Sequence, residues 1–157
     1  MTVLALVAAG CDTSPLSPTA PQLPPGVAIN VDLALYDRLN DSRQREGLPP
    51  VVIDNDLSLV AELHSQHMRD NGSLTHQDRL GGRVGDRLSR SGVAFFRAAE
   101  NIGVAIGHAD PAEFLHTEFM KSAPHRRIIL DPTFSVVVIG TVTDGTETWV
   151  TEIFVTP

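Results

Sequence analysis

Cysteine is nearly absent from this chain: Cys11 is the only one in 157 residues. A single thiol cannot close a disulfide within the chain, so a disulfide scaffold is excluded. Aromatic residues are scarce at 5%, with one Trp and one Tyr, which argues against a stacking platform for bases. Lysine is almost missing too; Lys121 stands alone beside eleven arginines. Acids exceed bases 19 to 12, giving a net charge of −7 and no basic block, so nucleic acid is not the expected partner. No apolar run approaches the ~20 residues that span a bilayer as a helix. What remains is 42% hydrophobic and 20% charged, the balance of an ordinary globular domain.

The N-terminus is MTVLALVAAGC, with an apolar run over Val3–Ala9. Small residues Ala8-Ala9-Gly10 lead directly to Cys11. This arrangement resembles a bacterial lipoprotein signal covering residues 1–10, with Cys11 as the lipid-bearing first mature residue. The plainer reading is an apolar N-terminus with an inert cysteine. Five of the fourteen residues 12–25 are proline and most others are small or polar. Such a stretch cannot bury enough apolar area to fold and reads as a spacer, so residues 11–26 form a linker. The domain is expected over 27–157.

Within it, Asn30 predicts an N-cap for a helix over 31–46, with Val31, Leu35 and Leu39 as its apolar stripe and Gly47 as its stop. Asp54 or Asp56 is the expected cap of a second helix over 57–71, striped by Leu57, Val60, Ala61, His64 and Met68 and ended by Gly72. Residues 77–97 have weak periodicity and read as a long loop with one helical turn near Val84–Leu88. A short strand is expected over 98–106. Asp110-Pro111 followed by Glu113 marks a helix start running to about Lys121. A turn follows from Pro124 to Leu130. Val-rich and Ile-rich residues 135–143 and the alternating 148–155 predict two strands joined through Asp144-Gly145, with Trp149, Thr151 and Ile153 on one face. The fold class is α+β: a small, mainly antiparallel sheet flanked by helices.

Glu100 lies inside an apolar strand, where a carboxylate costs several kcal/mol unless it is partnered or faces a cleft. His76 and His125 are the other candidates. His64 sits on the apolar stripe and reads as a satisfied core histidine, His67 as solvated and His108 as a loop residue. His116 reads as a surface residue or a partner of Glu113. The chain has no H-E-x-x-H, no CxxC pair and no G-x-S-x-G, so neither the strong zinc signatures nor a nucleophilic serine is supported.

The order of short motifs adds more. Leu39-Asn40, Arg43 and Gly47-Leu48 precede Ala61-x-x-His64-Ser65-x-x-Met68 and Leu74-Thr75-His76. Then come Ala99-Glu100-Asn101-Ile102, Ser122-x-x-His125-Arg126 with Ile129-Leu130, Ile139-Gly140, and Trp149 with Phe154. This series resembles the CAP superfamily (cysteine-rich secretory, antigen 5 and pathogenesis-related proteins; SCP domain), in its bacterial, cysteine-poor branch. The resemblance implies a three-layer α-β-α sandwich with two His and two Glu lining a central cleft. The matching positions are His76, Glu100 and His125. Ser122 stands where the second Glu is implied, and Glu118 is expected to point elsewhere.

Two histidines near a carboxylate can hold Zn²⁺, with His76 and His125 as ligands and Glu100 as a third ligand or supporting group. They can equally form a structural polar cluster. Three functions compete: a lipid-anchored binding module outside the cytoplasm for a small molecule, lipid, sterol or cell-envelope component; a metal- or Glu/His-dependent hydrolase of the cell envelope with Glu100 as general base; and an adhesion domain whose surface matters. The binding module is the preferred expectation, with Cys11 as its membrane attachment.

Overall fold

A computed structural model describes residues 30–157. The signal-like segment, Cys11 and the Pro-rich linker lie outside the described residues. Helix α1 spans Val31–Arg45, and the Asn30 side chain accepts from Leu33 N at 3.1 Å, as its N-cap role requires. Gly47 at φ 70° ends the helix: its N–H bonds Gln44 O, and Leu48 N–H bonds Arg43 O. A left-handed glycine can make this closure without the Cβ clash of other residues. Strand β1 is only Val52–Ile53, a strand absent from the sequence reading. Helix α2 spans Ser58–Asn71 and α3 spans Val84–Arg90. Strand β2 is Arg97–Ile106, α4 is Pro111–Lys121 and α5 is Ala123–Ile129. Strands β3 (Val136–Asp144) and β4 (Glu147–Thr156) close the chain as a hairpin around Gly145-Thr146.

Three expectations are corrected. The region 77–97 holds a seven-residue helix rather than a single turn, and 124–130 is a helix rather than a turn. Neither Asp54 nor Asp56 caps α2; Asp54 Oδ1 accepts from Asp56 N and Leu57 N, which closes the turn ahead of the helix. The other elements fall within a residue or two of expectation, and Asp110 caps α4 by accepting from Glu113 N at 2.9 Å.

The sheet order is β1-β3-β4-β2, with β1 parallel to β3 and the other pairs antiparallel. Helices α1, α4 and α5 cover one face, where Leu35, Leu39, Leu115, Phe119, Ile129, Val137, Ile139, Val150 and Phe154 form the main core. Helices α2 and α3 cover the other, over Ala61, Leu88, Val138, Ile153 and Val155. The three-layer α-β-α sandwich is as expected. Trp149, Thr151 and Ile153 do share one face, the one under α2.

Two side chains lock the layers. Arg43 is fully buried on α1 and donates to the carbonyl oxygens of Pro49, Ile129, Asp131 and Phe134 at 2.8–3.2 Å. It ties α1 to the segment that leads from α5 into β3. On the opposite face, Ser65 Oγ donates to Gly140 O at 2.8 Å, joining α2 to β3. A Cβ built on Gly140 would lie 2.2 Å from Glu62 N, so the α2 backbone rests directly on this glycine.

Candidate functional site

Glu100 sits on β2 with its side chain 2% exposed, on the face covered by α2 and α3. Such a carboxylate needs partners, and it has two. His76 Nδ1 donates to Oε1 at 2.8 Å, and Arg87 Nη2 donates to Oε2. A carboxylate only accepts, so the His76 proton resides on Nδ1 and Nε2 is left as an acceptor. Arg87 also donates from Nη1 to the His76 carbonyl at 3.2 Å, fixing the loop that presents the histidine. Burial lowers the Arg87 guanidinium to about 10, and it remains charged at neutral pH.

His64 lies beneath this cluster, fully buried. Its Nε2 bonds Thr75 O at 2.8 Å and is 3.9 Å from Glu100 Oε2. Nδ1 has no partner among the described residues, so His64 is a core histidine that is satisfied on one side only. Burial first, and Arg87 second, push it down to about 4, and it stays neutral. His76 is also held below its ordinary value, by burial and then by Arg83 and Arg87.

His125 approaches from the other side of the sheet. It is carried by α5, half-buried, with its ring 5.2 Å from Phe119. Phe119 in turn packs against Gly103 of β2, where an added Cβ would meet its ring at 3.1 Å. Burial, then proximity to His76, lowers the His125 imidazole. Of the sequence-predicted residues, His76 and Glu100 are in direct contact, and His125 lies close enough to feel His76 without a hydrogen bond to either. Ser122 stands between α4 and α5, and its hydroxyl makes no hydrogen bond among the described residues. Glu118 points to the surface, where it pairs with Lys121 at 2.7 Å.

The remaining histidines are placed differently. His67 is partly buried beside Asn71, whose side chain reaches its ring nitrogen at 2.9 Å. His108 is an exposed loop residue that stacks on Phe114. His116 is neither a surface residue nor a partner of Glu113: it is buried and bonds Ser42 Oγ at 2.8 Å between α1 and α4. Desolvation pushes it down to about 4.

Sequence reasoning missed Arg87. A signal existed: Glu100 demanded a cation, and the region 77–97, read as a long loop with one helical turn, held Arg79, Arg83, Arg87, Arg90 and Arg97. A cavity of about 680 Å³ opens between α2 and the segment from Asp78 to Ser91. Leu57, Val60, Leu63 and Leu80 give it apolar walls, and His64 and Arg87 belong to both the cavity and the Glu100 cluster. Leu63 and Leu80 are exposed, at 54% and 78%.

The donor set does not fit a three-ligand zinc site. Among the described residues, no three His, Cys, Asp or Glu side chains converge as metal ligands. Both Glu100 oxygens are engaged, and the charged Arg87 and Arg83 adjoin His76. Also among the described residues, no helix is long and apolar enough to cross a membrane.

Comparison with known proteins agrees with the fold. Bacillus subtilis YkwD, described as an uncharacterized protein, is 37% identical over 106 residues, which is 68% of this chain and 40% of YkwD. The crystal structure of an extracellular Bacillus anthracis protein containing an SCP domain superposes with TM-score 0.71 at 30% identity, covering 88% of this chain and 45% of that one. An outer surface protein of Borrelia burgdorferi shares the fold, with TM-score 0.72 at 17% identity over 82% of this chain and 95% of that one. The chain thus spans under half the length of the two Bacillus proteins it matches. Residues 36–155 match the cysteine-rich secretory protein family, and the chain belongs to this CAP family.

Proposed function

We propose that this chain is a binding module that works outside the cytoplasm, receiving a small or lipid-like ligand beside the His76–Glu100–His125 cleft. The observation that carries the reading is the cavity under α2. Its volume lies in the range of small-molecule sites, Leu57, Leu59, Val60, Leu63 and Leu80 give it apolar surface, and His64 and Arg87 are among its polar lining. Apolar walls with a few fixed polar groups bind and orient a ligand without chemistry. The likeness to an extracellular Bacillus anthracis protein supports the location. So does the signal-like MTVLALVAAGC, from which we propose membrane attachment through Cys11.

Hydrolysis is less well supported. A general base must reach its water, and the Glu100 side chain is 2% exposed with one oxygen bonded by His76 and the other by Arg87. Ser122 supplies no second carboxylate.

Calorimetric titration of the full chain with palmitate tests the proposal. One-to-one saturable binding is expected, weakened at least about tenfold in Leu63→Arg with the helix signal retained. Absence of binding, or equal binding by the variant, would overturn it.

A further inference from the structure

Strand β2 ends the sheet, and its outer edge lies between the elements that carry His76 and His125. The register with β4 decides which backbone groups are free. Gly107 N–H bonds Thr146 O at 2.8 Å, in step with the β2–β4 pairing. In an antiparallel ladder, residues that exchange hydrogen bonds alternate along the strand with residues that do not. The odd-numbered residues of β2 therefore turn their N–H and C=O toward β4. Phe96 N–H reaches Thr156 O as well, a bulge at the strand's start that keeps this alternation. The even-numbered Ala98, Glu100, Ile102 and Val104 turn theirs outward. Among the described residues, no backbone or side-chain hydrogen bond meets them there.

The two histidines stand on opposite faces of this edge. His76 is fastened to the Glu100 carboxylate on the α2–α3 face. His125 rests on Phe119, which packs at Gly103 on the α4–α5 face. They flank the unpaired strand edge from its two sides. A row of alternating donors and acceptors is complementary to one chemistry above all, an extended main chain.

We infer that an extended peptide segment of another protein adds to β2 as a fifth strand, running between His76 and His125. The inference goes beyond the cavity under α2 and names the class of partner that the edge takes. Main-chain hydrogen bonds to Ala98, Glu100, Ile102 and Val104 hold the segment, and the two histidines close on its alternate side chains. The chain's own linker is a poor occupant. A strand presents every second N–H to its neighbour, and prolines at 15, 21 and 25 interrupt one alternation while those at 18 and 24 interrupt the other.

Amide hydrogen exchange on the full-length, ¹⁵N-labelled chain tests this, with the blocked peptide Lys-Thr-Val-Thr-Val-Thr-Val-Lys as probe. In the free protein the amides of Glu100, Ile102 and Val104 are expected to exchange at least about tenfold faster than those of Asn101, Gly103 and Ala105. The probe at millimolar concentration is expected to slow the first set and leave the second unchanged. The same peptide N-methylated at its six inner residues has no inner amide left to donate from either edge and is expected to have no effect. Equal exchange of the two sets in the free protein would overturn the inference. So would failure of the probe to protect the outward amides, or equal protection by the methylated peptide. Palmitate binding is measured on the same sample: its loss with strand addition intact would sink only the apolar-ligand reading, and its persistence without strand addition would sink only the edge.

Discussion

The two faces of the sheet are built on different rules. Under α1, α4 and α5 lies the main apolar core, with Ser42, Arg43, Asn101, His116 and Glu152 buried among it. Under α2 and α3 the sheet meets His64, Ser65, Arg87, Glu100 and Thr151, all buried, while Leu59, Leu63 and Leu80 face outward. Both faces bury polar side chains; the exposed leucines beside them set the second face apart. The comparison separates two tasks: one face carries most of the core, and the other leaves apolar side chains open around a cavity.

Two glutamates on neighbouring strands sharpen the contrast. Glu100 of β2 faces α2 and is met by His76 and Arg87. Glu152 of β4 is fully buried on the α1–α4 face with one hydrogen bond, from Asn101 Nδ2 at 3.2 Å, and its Oε1 has no partner among the described residues. Desolvation raises it to about 7. The first carboxylate is compensated as a site requires; the second is a buried acid with little support.

The largest expected effect falls on the structural face. Arg43→Ala leaves the carbonyl groups of Ile129, Asp131 and Phe134 without their donor, and urea unfolding should show a loss of about 3–5 kcal/mol. Next comes Glu100→Gln, which strands the buried Arg87 charge. A loss of about 3 kcal/mol is expected at pH 8, with weaker palmitate binding, and an unchanged midpoint would break the comparison. Gly140→Ala forces α2 off β3 and should cost about 1–3 kcal/mol or more, read by the same unfolding curve. Its amide shifts are expected along α2 and β3 rather than α1.

The smallest effects are those of pH. His64 and His116 are depressed to about 4 from an ordinary 6.5. The unfolded chain takes up protons first, so their contribution is complete above pH 6.5 and is lost as pH falls toward 4. Glu152 is raised, and the folded chain holds that proton longer; its contribution is complete below its ordinary 4.5 and is lost as pH rises to about 7. Glu152→Gln should therefore raise stability at pH 8 by about 1–3 kcal/mol and remove the decline between pH 5 and 7. Urea midpoints at half-unit pH intervals will show whether that decline survives in the variant.

Legibility in the sequence follows locality. The Asn30 cap, the Gly47 stop and the Asp110-Pro111-Glu113 start are short-range signals, and each stands where the sequence places it. Helices α3 and α5 are hidden because each is short and buries one large apolar residue, Leu88 or Ile129, too few to show a period. Strand β1 is two residues long and exists through pairing with β3 more than eighty positions away. The site divides in the same way. Glu100 is marked as a carboxylate in an apolar strand, and His76 and His125 come from the motif order. Arg87 lacks any local mark. The His116–Ser42 contact joins residues 74 apart, a distance that no periodicity spans.

The division of labour between the two faces is tested most directly by an amide shift map of the full chain saturated with palmitate. The account predicts shifts along Leu57–His67 and Asp78–Ser91, carried to Glu100 through His64 and Arg87, with α1 and α4 silent. Shifts centred on α1 and α4, or none at all, would contradict it.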